Sequence, residues 1–550
     1  MRFRPFALFV LLLFSGNLFS QTFSLPEPIE SDVYPFLETL SARGVLSFDD
    51  IIRPLSRKYL AEKLIEADQK KEQLTGIEKK ELTLFLLKFQ METQLLGSAV
   101  PAYVNPFQPL KLKMFLDDFY NYNDSLFNLH LSPIISSSGG FANGDIQSTS
   151  SRGLYMRGYI GYKHKIGFNF FFEERGEHNV RFDLTKRFSS SRGFVNTLES
   201  TTDNAFSMIR TTLSYGWTWG NISAGMDNNT IGYGISNKLI LSDKAPAFPF
   251  IRLDIFPAKW IHFNYLHGWL SSGIVDSNKM YNTNGIFNSS FVYRTKYIAS
   301  HSITLIPSPK FSFTLGESVI YSDRFEPSYL IPLMFFKATD HYLSLYNIQA
   351  GDNGQFYFQL SSKNFIPKTH LYASLFIDEI RASAIFVPAE SRNQLGFMLG
   401  AAVNNVLIPN SLFTLEYTRT NPFVYSNFNL AQTYVSAGYP LGSWIGANAD
   451  YLFLSYTQKL SARLHLNFWA SKVRMGDQGT IYQQYYQQPQ PVFLFSKNFD
   501  LDGYGLNVLW KITPAIYLNA ELARKKLDGF HPVTSTLYNF ANITLTYRVF

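Results

Sequence analysis

Most of the chain alternates between apolar and polar residues with a period of two. In the segment 460–468 every second residue is apolar, and the residues between them are polar or charged. The segments 516–522 and 259–265 show a similar alternation. Because successive side chains of a β-strand point to opposite faces of the sheet, each segment predicts a strand with one apolar face. Strands of this kind are typical of outer-membrane barrels, in which the apolar face contacts lipid.

The predicted strands form hairpins, with short turns and long polar loops in alternation. Hairpins are predicted at 151–174, 206–227, 249–268, 294–321, 354–378, 394–419, 447–470 and 502–524, and single strands at 124–135 and 538–549. The antiparallel strands number about 18, within a range of 16–20, and an even count leaves both ends on the periplasmic side. A soluble β-sandwich would alternate similarly but would not need so many aromatic residues near its strand ends. The pattern therefore favours an all-β transmembrane barrel.

One strand breaks the alternation. Phe311, Phe313 and Leu315 share an apolar face, and the same parity places the charged Glu317 on that face. A β-bulge inserts one extra residue into a strand and so re-aims the side chains beyond it. The sequence therefore predicts a bulge near Gly316.

The residues before the barrel have a helical period instead. Ser31 and Ser56 are candidate N-caps, and Thr75 followed by Glu78 is a capping box that opens a further helix. Apolar residues recur at helical spacing behind each of them, which predicts a small bundle of amphipathic helices within 31–96.

This bundle defines the first part of the mature protein. We assign the helical region to residues 21–100 and the outer-membrane barrel to residues 101–550. A barrel of about 18 strands is too wide to be filled by its own inward side chains. We therefore expect the helices to plug the periplasmic mouth of the barrel.

The N-terminus predicts export. A basic start, Met1–Arg4, precedes an apolar stretch that ends at Phe14, and cleavage is expected after Ser20. The alternative is an uncleaved membrane anchor, but the apolar stretch is short for a span of about 20 residues. Residues 1–20 are therefore predicted to be a signal peptide, and the outer membrane is the predicted location.

Composition narrows the function. The chain carries 51 Phe, 33 Tyr and 7 Trp but only 17% charged residues, which suits a membrane barrel. It has no cysteine, which excludes disulfides and thiol chemistry. The net charge of +7 is thinly spread, so no nucleic-acid partner is expected. The 10 His residues show no metal-ligand spacing, and no nucleophile–base set can be proposed, so we expect no metal, no cofactor and no enzymatic activity.

The C-terminus suggests a partner in assembly. Ile543, Leu545, Tyr547 and Val549 alternate with polar residues, and the chain ends at Phe550. A terminal aromatic residue on an amphipathic strand resembles the signal that the barrel-assembly machinery reads. In the usual pattern the last residue lies on the apolar face of the strand. Here Phe550 is one position out of step with the apolar residues.

One segment points to a known family. The residues from Gly232 to Pro249, with Gly234, Ser242 and Pro246 between them, resemble a motif of the Wzi-like capsule-assembly family. Further stretches are similar to the branch of that family that includes gliding-motility outer-membrane proteins; they lie at 151–158, 316–321, 326–332, 375–379 and 440–448. The chain departs from the family at Gly232-Tyr233-Gly234, where Gly-Pro-Gly is the more usual form.

The resemblance implies an 18-stranded barrel whose lower mouth is closed by a helical bundle. It further implies a role in the assembly or attachment of capsular or other surface polysaccharide, without catalysis. The Gly232–Pro249 loop opens no helix and lacks a following Lys-Ser/Thr, so it is not a phosphate loop, and we expect it to fold over or into the lumen.

The residues themselves suggest where a glycan could bind. Tyr482, Gln483, Tyr485 and Tyr486 lie in an uncharged loop, where rings can stack on sugars and amides can bond hydroxyls. Two other functions remain open at this point. One is a porin or substrate-specific channel, and the other is a component of a gliding-motility or secretion complex with a protein partner.

Overall fold

A closed antiparallel β-barrel of 18 strands forms the body of the protein. The computed structural model describes residues 24–98, 120–180, 191–194, 196–199, 202–280, 291–346, 351–379, 387, 393–483, 491–529 and 536–548. Strands β1 to β9 are Phe127–Ala142, Asp145–Ile160, Ile166–His178, Asp203–Trp217, Gly220–Asp227, Phe248–Ala258, Ile261–Val275, Tyr293–Ser308 and Phe311–Ser322. Strands β10 to β18 are Asn353–Lys363, Thr369–Glu379, Gln394–Asn404, Ser411–Thr420, Ala449–Lys459, Leu464–Gly476, Lys497–Lys511, Ile516–Gly529 and Thr536–Tyr547. Strand β18 pairs with β1 and closes the barrel.

The two ends of the barrel differ. At the end we call the lower mouth, consecutive strands are joined by short turns, such as the two residues between Ala258 and Ile261. At the opposite end, the upper mouth, long loops join them. The connection between β1 and β2 is instead the short turn Asn143–Gly144, whose φ angles of 53° and 94° suit a two-residue hairpin. The alternation predicts that the first strand ends at 135 and the second begins at 151, but these strands extend to Ala142 and from Asp145, because the serine-rich residues 136–138 hide the alternation. The expected strand number and the N-terminal helices are confirmed.

The predicted bulge near Gly316 is wrong. Strand β9 pairs with β8 in an unbroken register from Lys296↔Ser322 to Leu305↔Phe313, and its pairing with β10 is also unbroken. Glu317 therefore keeps the outward parity of Leu315, yet it is only 3% exposed. Its burial has another cause, which is described below.

Four helices fill the lower mouth. They are α1 Val33–Ala42, α2 Arg57–Gln69, α3 Gly76–Lys88 and α4 Gln90–Leu95. Ser56 caps α2, and the Thr75–Glu78 capping box is present in full. The predicted cap at Ser31 is wrong, because Asp32 is the N-cap of α1 and the Ser31 hydroxyl instead donates to Glu27 at 2.6 Å.

A buried ionic network joins these helices. The Arg57 guanidinium donates to Glu27 and to Glu92, each at 2.5 Å, and Lys88 contacts Glu27 at 2.7 Å. The hydroxyl of Tyr159 in β2 donates to Glu92 at 2.9 Å and ties the network to the barrel wall. Burial alone would raise the pKa of Glu27, but Lys88 and Arg57 lower it to about 2.

Ion pairs also dock the bundle onto the wall. In each of the following ion pairs the acid belongs to the helical region and the base to the barrel: Glu30–Arg210, Asp32–Lys511, Asp50–Lys363 and Glu81–Lys459. A hydrogen bond between Glu38 and the His370 ring adds a fifth contact of the same kind. These five barrel residues lie on β4, β16, β10, β14 and β11. The contacts therefore surround the bundle rather than fixing one side of it.

Replacing Arg57 should loosen the bundle while leaving the barrel intact. The variant Arg57→Met leaves Glu92 and part of the Glu27 charge unpaired, and breaking a buried ion pair costs about 3–5 kcal/mol. We expect faster proteolysis of the bundle and, because Ile231 of an upper loop pairs with Ile52 of the helical region and loosens with it, higher conductance in planar bilayers. The control Lys79→Met removes a pair to the exposed Glu72 and should change neither readout, because such surface pairs contribute about 0–1 kcal/mol. Equal effects of the two variants would contradict the prediction.

The pKa of Glu27 predicts an acid limit for the bundle. A carboxyl whose pKa is lower in the folded state stabilises that state fully above its unfolded value of 4.5, and the stabilisation is lost as the pH falls towards 2. We therefore expect pepsin to cleave the bundle faster as the pH falls through this range, with rates normalised to an unfolded substrate. The variant Glu27→Gln should show a shallower pH dependence. A cleavage rate that stays constant from pH 4.5 to 2 would contradict this.

Candidate functional site

Two upper loops fold into the lumen and close it above the helices. They are residues 228–247, here called the first lumen loop, and residues 421–448, the second lumen loop. Both contribute to an apolar cluster with inward-facing residues of β6 to β11; its loop members include Leu239, Leu241, Tyr425, Tyr434 and Leu441. Aromatic and aliphatic contacts thus seal the upper half of the lumen, whereas ion pairs dominate below. A cavity of about 480 Å³ remains between the bundle, the wall and the tip of the first lumen loop.

The first lumen loop reaches down to the helical region. Ile231 pairs with Ile52 in a short two-stranded sheet, and the Gly232 amide donates to the Ile51 carbonyl at 2.8 Å. Gly234 has a φ of 117°, and a Cβ on it would lie 2.1 Å from the carbonyl oxygen of Asn237. Both the backbone conformation and the space at this position therefore require glycine.

Glu416 of β13 anchors the tip of this loop. Its carboxylate accepts hydrogen bonds from the Ile235 amide at 2.6 Å, from the Ser236 amide at 3.0 Å and from the Ser236 hydroxyl. The hydroxyl of Tyr372 on β11 donates to the same carboxylate at 2.6 Å. Glu416 is fully buried, so these four donors replace its hydration.

The remaining motif residues join the two lumen loops or leave the lumen. The Ser242 hydroxyl donates to the Gly442 carbonyl at 2.6 Å, and the Ser242 amide donates to the Leu441 carbonyl at 2.7 Å. Pro246 is half-buried, while Pro249 lies in β6 on its outward face. The family-like segment therefore lies mostly inside the lumen and forms part of the internal seal, although Ile235 remains 54% exposed.

The predicted glycan-binding residues lie at the upper mouth. The Tyr482 side chain is 55% exposed, and its hydroxyl donates to the Gly438 carbonyl at 2.9 Å, which leaves the ring accessible. The Gln483 side chain accepts from the Gly479 amide at 2.6 Å and therefore shapes its own turn. Tyr485 and Tyr486 lie outside the described residues, as do Phe550 and the predicted signal peptide.

Sequence reasoning missed Glu416 and the second lumen loop. A single acid among the inward residues Thr414 and Thr418 was a signal that could have been used, because an isolated lumen charge needs partners. Tyr425 was also missed; it is fully buried, and its hydroxyl donates to the Leu239 carbonyl at 2.5 Å. Its apolar surroundings in a nominally polar loop could have indicated burial.

Comparisons with known proteins agree with this architecture. The family model for the capsule assembly protein Wzi matches residues 163–530. The solved structure of Wzi from Escherichia coli, described as a carbohydrate-binding outer-membrane β-barrel involved in group 1 capsule assembly, is similar to this chain with a TM-score of 0.54 at 13% identity. That match covers 96% of this chain and 100% of the other.

Other matches are weaker. OccAB2 of Acinetobacter baumannii has a TM-score of 0.43 at 8% identity and covers 77% of this chain and 99% of its own. OccK3 of Pseudomonas aeruginosa has a TM-score of 0.40 at 8% identity, over 76% and 95%. A search of curated proteins gives no match. Within the described part of the chain, no helix has both the length and the apolar character of a membrane span.

Removing the Glu416 carboxylate should destabilise the seal far more than removing one of its donors. Glu416→Ala leaves four buried donors without an acceptor, at about 1–3 kcal/mol each. Tyr372→Phe removes only one hydrogen bond and should cost about 0.5–1.5 kcal/mol. We expect a much lower midpoint of heat modification on gels for Glu416→Ala than for Tyr372→Phe. Similar midpoints would show that Glu416 does not hold the loop.

Proposed function

The chain belongs to the Wzi capsule assembly family, and from this premise we propose that it attaches surface or capsular polysaccharide to the outer membrane without catalysis. The observation that carries the proposal is the double closure of the lumen, by the helical bundle below and by the two lumen loops above. A barrel closed in this way does not act through its lumen, so the upper surface is where we place binding.

The closure also weighs against the channel hypothesis. A porin needs a continuous aqueous lumen, whereas here inward-facing residues of the wall pack against Leu239, Leu241 and Tyr425. The cavity of about 480 Å³ is enclosed by the helical region, the wall and the tip of the first lumen loop. We therefore favour a surface role over transport.

The Tyr482 loop is the proposed glycan surface. An exposed aromatic ring can stack on the C–H face of a sugar, and one such contact is worth about 0.5–1.5 kcal/mol. One contact is weak, but a polymer presents many repeats to the same site, so avidity multiplies it. Polar groups of the neighbouring loop, such as the Gly438 carbonyl, hold the ring in place.

The remaining parts of the proposal follow from topology. Export by a signal peptide at residues 1–20 and assembly through Phe550 would place both chain ends in the periplasm. The helical bundle would then close the periplasmic mouth, and the Tyr482 loop would face outward from the cell.

The test is retention of surface glycan in cells. We expect the triple variant Tyr482→Ala, Tyr485→Ala, Tyr486→Ala to lower the glycan stained on the cell surface, because three rings are lost together. A single change could be masked by avidity. The amount of folded barrel, judged by heat-modifiable mobility, should stay at the wild-type level.

Two controls sharpen this test. The triple Tyr→Phe variant keeps the rings and should retain most of the glycan, and Tyr162→Ala removes an exposed tyrosine at the lower mouth and should retain all of it. If the Ala triple keeps the glycan while a deletion strain loses it, the Tyr482 loop is not the binding surface. If the deletion strain also keeps its glycan, the proposed function is wrong, and a protein partner in motility or secretion becomes the leading hypothesis.

A further inference from the structure

A patch of the outer barrel wall is covered by protein. The outward-facing residues Glu317, Val319 and Tyr321 of β9 are each at most 3% exposed, although their parity directs them away from the lumen. The outward residues Tyr265 of β7 and Tyr297 of β8 are buried in the same cluster. An outward residue of a membrane barrel normally contacts lipid, so something else shields these side chains.

The covering element is the loop after β9, residues 323–346, which we call the flap. It includes helix α5, Phe336–Leu345. The Tyr265 hydroxyl donates to the Tyr329 carbonyl at 2.7 Å, and the Phe336 ring lies 4.4 Å from the His301 ring on β8. The flap therefore folds down over the outside of β7 to β9 instead of over the upper mouth.

Glu317 is the polar anchor of the flap. Its carboxylate accepts hydrogen bonds from the backbone amides of Phe336 at 2.9 Å and Lys337 at 2.6 Å, the first residues of α5. These amides have no partner inside the helix, and the positive end of the helix dipole favours a carboxylate. A charge that would be costly against lipid is thus satisfied beneath the flap.

The outer face of the flap exposes mainly large apolar residues, beside the exposed Lys337 and His341 of α5. Leu333 is 82% exposed and Leu345 is 66% exposed, and the neighbouring exposed residues are Ile331, Phe335, Tyr342 and Tyr346. The buried side of α5 instead carries Phe336, Asp340 and Leu343. One face of the helix therefore packs against the wall, and the opposite face has no protein neighbour among the described residues.

This apolar face continues the lipid-facing surface of the barrel. The Phe335 ring lies 6.2 Å from the ring of Phe356, which has outward parity on β10 opposite Glu317. Below Phe356 on the same face, Phe358 and Leu360 extend the apolar surface towards the lower mouth. No polar strip separates the flap from the wall at this contact.

The length of the apolar surface on each strand also indicates that the flap faces lipid. On β9 the uncovered outward residues run from Phe311 to Leu315, about 13 Å along the strand at roughly 3.3 Å per residue. On β16, away from the flap, the outward run from Tyr504 to Trp510 spans about 20 Å. Outer-membrane barrels carry an apolar band about 25 Å tall. Because barrel strands are tilted, neither run alone spans that height, but the uncovered run on β9 is the shorter by about 7 Å, and the flap supplies apolar surface above it.

We propose that the flap is a lipid-contacting element, whose exposed residues lie against the acyl chains of the outer leaflet. It replaces the outward strand surface that it covers, and its tyrosines suit the interface between acyl chains and headgroups. The proposal depends on the fold and not on any glycan function.

Single cysteines test it directly, because the chain has no native cysteine. Leu333→Cys and Leu345→Cys would be spin-labelled in the full protein reconstituted in phospholipid bilayers. Collision rates with oxygen, which concentrates in lipid, and with a water-soluble nickel chelate are then measured. Three reference sites calibrate the rates: Leu360→Cys on the lipid-facing wall, Gln478→Cys on an exposed upper loop and Leu343→Cys under the flap.

We expect both flap labels to match Leu360→Cys, with high oxygen and low nickel collision rates. Rates that match Gln478→Cys would place the flap in water and overturn the proposal. Low rates with both reagents, as for Leu343→Cys, would mean that a second copy of the chain covers the flap, and this too would overturn it. Heat-modifiable mobility verifies that each labelled variant is folded.

Discussion

The width of an 18-stranded barrel is the constraint on which the rest of the structure depends. Inward side chains cannot fill a lumen of this size, and an unfilled lumen would be a water-filled channel. The protein fills it from both ends, with amphipathic helices below and two inward loops above. The two fillings differ in chemistry: the helical region meets the wall mainly through paired charges, whereas the upper loops combine an apolar cluster with hydrogen bonds such as those to Glu416.

The two fillings depend on each other. The first lumen loop pairs with Ile52 of the helical region and is held to the wall by Glu416. The same loop bonds the second lumen loop through Ser242. The closed barrel is therefore best understood as one assembly, whose free surfaces are the upper face and the outer wall.

The local parts of this fold were predictable, and the non-local parts were not. A period of two located the hairpins, since alternation is a local property of each strand, and it failed where the serine-rich residues 136–138 lack an apolar parity. Glu317 was noticed as an exception but misread as a bulge, because its partner is the backbone of a helix about 20 residues later. Tyr482 could be proposed from composition, whereas Glu416 acquires its meaning only when a distant loop folds onto it.

The central claim is that this closed barrel holds polysaccharide on its outer face. The most direct measurement is equilibrium binding of the cell's own purified surface polysaccharide to the full protein in nanodiscs, with polymer fractions of decreasing length. The account predicts saturable binding that weakens steeply as the polymer is shortened, because single contacts are weak and many repeats act together. Folded protein that binds none of the fractions would contradict it.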